Sequence, residues 1–211
     1  MGLTETTIGR ASIYGLLAGV FAYPDDTAIQ AIRNGSKSVI SVIDSFDSDK
    51  SFRQAAFTFT RIATKSSDDE LRRHYSELMV GRRQCHLDES EYDKAIFNRY
   101  QRLADVAGFY RAFGFNVSNC SRQRPDFIGT ELEFMQVLLL KRAYAEEQGW
   151  NTETQTCVSA ESIFIGEHLE WWVKLMCENL RGDETCTFHT SLSNFLEHFV
   201  RTEGLRYMKA A

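Results

Sequence analysis

The chain has 211 residues, 29 acidic against 24 basic side chains for a formal net charge of −5, and 13 glycines but only two prolines, Pro24 and Pro125. So few breakers exclude proline-rich linkers, collagen and a β-sandwich or barrel, which needs a turn signal about every 8–12 residues. The acidic balance argues against nucleic acid as a partner, because phosphate neutralisation needs clustered Lys and Arg.

Ile8, Ala11, Tyr14, Leu16, Leu17, Val20 and Phe21 recur at helical spacing and stop at Pro24, which predicts a first helix. Asp25 and Asp26 offer caps for a second helix, which carries Ile29 and Ile32; Asn34-Gly35 predicts a break before the stretch Val39, Ile40, Val42 and Ile43. Phe52, Ala55, Ala56, Phe59, Ile62 and Ala63 form the next amphipathic segment, and Leu71, Tyr75, Leu78 and Met79 another that ends at Gly81. A polar connection over 82–93 follows. Ile96, Phe97, Tyr100, Leu103, Ala104, Ala107 and Tyr110 mark a long helix closed by Gly114 as a left-handed cap, with an irregular stretch over 116–125 beyond it. Leu132, Met135, Leu138, Leu139 and Ala143 line a helix that Gly149 closes, and residues 150–158 read as a polar loop. Phe164, His168, Leu169, Trp172, Leu175 and Met176 form a stripe ending near Gly182, and Leu192, Phe195, Leu196, Phe199 and Val200 form the last. The expectation is an all-α, single-domain bundle of about eight helices over residues 1–211.

The five cysteines (Cys85, Cys120, Cys157, Cys177 and Cys186) are odd in number and never spaced C-x-x-C, which argues against a disulfide framework and a thiolate metal site and favours a reducing cytoplasm. No signal peptide or membrane span is expected. Met1-Gly2 with Thr6 matches a myristoylation pattern too short to carry weight. Phosphate-cradling glycine loops, H-E-x-x-H and G-x-S-x-G are all absent from the sequence, and no histidine follows a Glu at the di-iron spacing. Cys186 and His189 form an i, i+3 pair with His198 nine residues on, but the sequence supplies no fourth ligand at sensible spacing, so no metal and no cofactor is expected. The pairs Arg72-Arg73 and Arg82-Arg83 precede no apolar run and read as surface charge.

The run Arg124-Pro125-Asp126-Phe127, followed by Glu131-Leu132-Glu133-Phe134-Met135, resembles the signature of the TorD/DmsD/NarJ family of molybdoenzyme chaperones, in which Pro-Asp-His precedes Glu-Leu-Glu-Phe-Met. Phe109-Tyr110-Arg111-Ala112-Phe113-Gly114 is similar to the family's aromatic helix end, residues 164–171 (FIGEHLEW) to its F-x-x-x-H-L-x-x-W run, and residues 75–81 (YSELMVG) to its Y-x-x-L-F-x-G stretch. Phe127 stands where the family usually has His, and the 82–93 loop lacks the family's prolines, keeping Glu89-Ser90.

The resemblance implies a TorD-like, non-enzymatic cytoplasmic chaperone. It would bind the leader peptide, commonly twin-arginine, of the apo form of a molybdenum-cofactor oxidoreductase, assist cofactor insertion and delay export until folding is complete. It also implies no nucleic acid, no stable membrane insertion, and a monomer or a homodimer exchanging helices about the link 115–125. Candidate leader-binding residues are Tyr75, Leu78, Met79, Arg124, Pro125, Asp126, Phe127, Glu131, Glu133, His168 and Trp171. Structurally, Pro125 enforces an extended Arg124, Asp126 is placed to cap the following helix, and Glu131 and Glu133 put negative charge in its first turn. Functionally, carboxylates would pair with leader guanidinium groups while Tyr75, Leu78, Met79 and Phe127 accept an apolar helix in a groove. Tyr110, Phe134 and Met135 are expected in the core, His168 in an internal hydrogen bond, and the Trp171-Trp172 pair divided between core and groove edge. Two alternatives stand beside this reading: an assembly chaperone of the nitrate-reductase type for a client that is never exported, and, from a different class, a helical nucleotide-binding or regulatory protein.

Overall fold

Three of the helices begin where a side-chain oxygen holds their first amides. In the computed structural model, which describes residues 2–45, 49–80, 85–117, 124–182 and 186–208, α1 spans Leu3–Val20 and α2 Asp26–Asp44, the latter capped by Asp25, whose carboxylate accepts the Ala28 N–H at 2.8 Å. Asp49 caps α3 (Lys50–Lys65) through the Ser51 N–H at 2.8 Å. Ser67 and Glu70 satisfy each other's amides at the start of α4 (Asp68–Val80), at 2.7 and 3.2 Å. α5 (Ile96–Ala112) and α6 (Ile128–Gln148) both run out into glycines of positive φ, Gly114 at 64° and Gly149 at 70°. There Phe115 N–H reaches back to the Tyr110 carbonyl at 2.8 Å and Trp150 N–H to that of Ala145 at 2.9 Å, the closure a left-handed residue permits.

α7 (Asn151–Phe164), a π-helical turn (Ile165–Leu169) and α8 (Glu170–Arg181) run on without a break, and α9 spans Thr187–Met208. Counting that continuous rod once, the described residues form eight helices, and their one β-type pairing is the isolated bridge between Asp88 and Phe127. The all-α architecture expected from the sequence is therefore what forms.

Three local expectations are corrected. Residues 151–158 are helical, not a loop: Cys157, Ala160 and Phe164 give α7 a narrow buried stripe, and Glu161 is buried beside them through ion pairs to other helices. Gly35 lies inside an unbroken α2, where a Cβ would sit 3.1 Å from Leu16 Cδ1, so the glycine serves a close crossing of α1 and α2 rather than a break. The apolar stripe of α5 is only half buried: Val106 and Tyr110 face the core, whereas Phe97 and Tyr100 are 81% and 71% exposed. Gly81, Arg82, Arg83, Cys120 and most of the proposed hinge lie outside the described residues. Arg72 pairs with Asp26 at 2.7 Å and Asp69 at 3.4 Å, and Arg73 is exposed.

α1 packs along α6, α3 along α9 and α8 along α9. Between them Phe52 stacks with Phe195 at 6.0 Å and Phe199 at 6.1 Å, and Phe59 with Phe195 at 5.6 Å, all four fully buried. A buried ion network crosses this core. Arg10 of α1 donates to Glu203 of α9 through Nε at 2.9 Å and Nη2 at 2.7 Å, and Nη2 also reaches the Tyr207 hydroxyl at 2.6 Å. Glu161 of α7 takes Arg142 at 3.0 Å and the Tyr207 hydroxyl, and Arg142 also holds Glu146 at 2.7 Å. Among the described cysteines, Cys157, Cys177 and Cys186 are free thiols, and no described helix is long and apolar enough to cross a membrane.

Candidate functional site

Pro125 has no amide hydrogen and a fixed φ, so it occupies the second position of a turn that Phe127 N–H closes onto the Arg124 carbonyl at 3.2 Å. Beyond the turn the chain pairs with residues 87–89: Glu89 N–H bonds to the Asp126 carbonyl and Ile128 N–H to the Leu87 carbonyl, both at 2.9 Å. The Tyr110 hydroxyl, at the end of α5, donates to the Pro125 carbonyl at 2.8 Å. In this way the signature segment is pinned from two sides before α6 begins.

Asp126 is fully buried. Its carboxylate accepts Arg124 Nε at 3.1 Å and Nη2 at 3.3 Å, and the Ser90 amide at 3.0 Å. It does not cap α6, whose N-cap is Phe127 without a side-chain bond; the carboxylate is spent on the 89–92 turn (Glu89–Tyr92, a 3-10 helix). Arg124 extends the cluster to the Ser90 hydroxyl and, at 2.9 Å, to Glu91, which Arg99 also holds at 2.9 Å.

Glu89 is the second buried carboxylate, and it collects three elements. Oε2 lies 3.1 Å from His168 Nδ1 on the π-helical turn, and Oε1 accepts Trp171 Nε1 at 2.9 Å and Arg102 Nη1 at 3.3 Å. The Arg102 guanidinium also lies 4.1 Å from the Trp171 ring centroid, where the cation meets the negative face of the indole, and its Nε holds Asp93 at 3.0 Å. The π-helical turn has a reason here, since it sets His168 and Trp171 toward the same carboxylate.

Glu131 is a third buried carboxyl, and neither oxygen has a hydrogen-bond partner among the described residues; the nearby Trp172 indole donates to the His168 carbonyl. Burial, then the charges of Glu89 and Asp126, hold its pKa well above the usual carboxylate value. Asp88, at the edge, is raised from 3.8 to about 6 by burial and then by Asp126. A carboxyl raised on folding contributes stability that is complete below its unfolded value and lost as pH rises through its folded value. The stability difference between Asp88→Asn and the parent is therefore expected to grow in the variant's favour between pH 3.8 and about 6 and then level off, read by denaturant titration at a series of pH values.

The sequence candidates divide accordingly. Arg124, Pro125, Asp126, Glu131, His168 and Trp171 come together in or against this cluster, with His168 in the internal bond expected of it. Tyr110, Phe134, Met135 and Trp172 are buried core, as read, and Trp171 is half-buried. Asp126 and Glu131 have no exposed surface, so neither is open to an incoming guanidinium in this conformation. Phe127 is buried edge-on against Phe21 at 6.3 Å; with the exposed Glu133 it lines a small cavity of about 250 Å³ between α1 and α6. Tyr75 sits against Tyr23 at 5.7 Å, Leu78 is buried and Met79 packs on the core; none of the three takes part in the cluster's bonds.

Glu89 and Ser90, which the 82–93 loop keeps of the family pattern, are not among the sequence candidates, and Arg102 escaped the sequence reading. So did an apolar groove of about 630 Å³ between α6 and α7, lined by Phe113, Val137, Leu140, Tyr144, Trp150 and Cys157. Its walls keep Leu140, Tyr144 and Trp150 roughly half exposed, at 45%, 55% and 48%, and Lys141 and Glu153 stand among them. The i, i+4 pair Leu140/Tyr144, on a face of α6 other than its buried stripe, was the available cue.

Residues 47–178 match the family model described as nitrate reductase delta subunit. Over 103 residues the chain is 29% identical to the perchlorate reductase assembly chaperone protein of Dechloromonas aromatica (strain RCB), a match covering 49% of this chain and 45% of the relative. The chain thus matches less than half the length of that relative.

Proposed function

This chain belongs to the nitrate reductase delta subunit family, assembly chaperones of the NarJ/TorD type rather than catalysts, and from that premise we propose that it is a cytoplasmic chaperone for a molybdenum-cofactor oxidoreductase. It receives the client's N-terminal leader before the cofactor is in place and delays export until the client has folded. The observation that carries this reading is the family match itself, which contains the whole buried cluster from Glu89 to Trp171 and the whole α6/α7 groove.

The geometry supports a division of labour. The cluster is closed, and its carboxylates are committed to Arg102, Arg124, His168 and Trp171, so it acts as the brace that fixes α5, α6 and the π-helical turn. The groove is open and apolar. A leader's apolar region of about 7–15 residues coils into a helix roughly 10–22 Å long, of a kind that such grooves accept. In this reading Leu140, Tyr144 and Trp150 take that helix, and the exposed Glu153 meets an arginine of the leader.

The test is calorimetric titration with a synthetic leader from the oxidoreductase encoded beside this gene. Leu140→Glu is expected to weaken binding at least about tenfold, or 1.4 kcal/mol, while Tyr75→Ala, outside the groove, leaves it unchanged. Binding to the client's mature part but to no leader would remove the export-delay function and leave an assembly chaperone for a client that is never exported.

A further inference from the structure

Two i, i+3 pairs that lie more than a hundred residues apart in sequence meet on one side of the bundle: His74 and Glu77 on α4, and Cys186 and His189 at the start of α9. The i, i+3 spacing puts both members of a pair on the same helix face. One donor atom from each of the four residues lies within 4.8 Å of the other three. We propose that these four residues bind a single zinc ion that clips α4 to the start of α9.

Three of the donor separations are close to those a tetrahedral ion requires, and the His189 ring completes the set within 4.8 Å. Zinc bonds of about 2.3 Å to sulfur and 2.0–2.1 Å to nitrogen or oxygen place a thiolate about 3.6 Å from its lighter neighbours, and two lighter donors about 3.3 Å apart. Here Cys186 Sγ lies 3.6 Å from His74 Nδ1 and 3.9 Å from Glu77 Oε2, and His74 Nδ1 lies 3.5 Å from Glu77 Oε2. These three edges match one face of the tetrahedron to within a few tenths of an ångström. By contrast, a thiol 3.6 Å from an imidazole makes only a weak hydrogen bond.

The ligands are held in place before any ion arrives. The His74 ring stacks flat on the buried Phe188, with centroids 4.6 Å apart and planes within 6°. His189 Nε2 lies 3.2 Å from the His74 carbonyl, which docks the second imidazole onto α4. Glu77 is 41% exposed and leaves a way in, with Arg73 4.0 Å from its other side. One thiolate, two imidazoles and one carboxylate suit zinc better than a hard cation, and four protein ligands make a structural rather than a catalytic site. His198, the third residue suggested by sequence spacing, takes no part: its Nδ1 bonds to the Asn194 carbonyl at 2.8 Å.

Cobalt substitution tests the site on the full chain, stripped with chelator and free of a histidine tag. Titrated Co²⁺ is expected to bind at one equivalent, with tetrahedral visible absorption and a thiolate charge-transfer band, both displaced by zinc. Cys186→Ser should abolish the charge-transfer band and Cys157→Ser should retain it. Zinc at a hundredfold over its dissociation constant should raise Tm by about 5–10 °C in the parent and not in Glu77→Gln/His189→Ala. Circular dichroism establishes that each variant is folded. Binding well below one equivalent, or a cobalt spectrum and Tm shift unchanged in folded Cys186→Ser, overturns the proposal.

Discussion

Replacing Arg10 with Ala is expected to cost about 3–5 kcal/mol of folding stability, because it takes the closest partner from the buried Glu203, leaving it Arg206 at 3.1 Å, and removes one of the two cations that balance the buried Glu161. At an m value of about 2–3 kcal/mol/M, that lowers the urea midpoint by roughly 1–2.5 M with little change in slope. The cause is separable from lost packing. If uncompensated charge is responsible, Arg10→Met should be nearly as damaging, whereas Arg10→Met/Glu203→Leu should recover much of the loss. A double variant as unstable as the sum of the two singles would show that the residues do not act as a pair.

Asp126→Ala is the second large effect, about 1–3 kcal/mol, since it strips the buried Ser90 amide of its acceptor and takes one of two carboxylates from the partly exposed Arg124. The loss should concentrate at the 87–90 pairing with 126–128, which hydrogen exchange reads as early opening of the Glu89 and Ile128 amides. Glu131→Gln provides the contrast. That carboxyl has no hydrogen-bond partner among the described residues, and its raised pKa means the parent loses stability as pH rises above the unfolded value near 4.5. The amide does not titrate, so the variant should equal or exceed the parent at pH 7. A clear loss there would mean that Glu131 is charged and paired in the folded protein.

How far the sequence could be read follows from where each residue's partners lie. α1 and α6 carry their own information in apolar spacing, and the turn at Pro125 comes from the residue itself. α7 does not: its threonines and glutamates look like a loop until Arg142 and Tyr207, from other helices, bury Glu161. Glu89 sits in an unremarkable polar stretch, and its burial depends on Arg102, His168 and Trp171, which lie 13, 79 and 82 residues further on. Asp126 was legible as a residue that matters but not in its role, because helix-start chemistry and a buried ion pair call for the same side chain. The α4/α9 cluster was half visible as Cys186 and His189, while its other half lies more than a hundred residues upstream.

Arg10 and Glu203 are separated by 193 positions. A ribosome adding about 5–20 residues per second therefore makes the arginine roughly 10–40 s before its counter-ion. Glu161 emerges sooner, but Arg142 shares it. During that interval the first helix has no settled place for its charge, so the bundle closes around it only once the last helix has emerged. A chain cut short before α9 should remain open and be exposed to proteases, which gives the cell a way to discard incomplete copies.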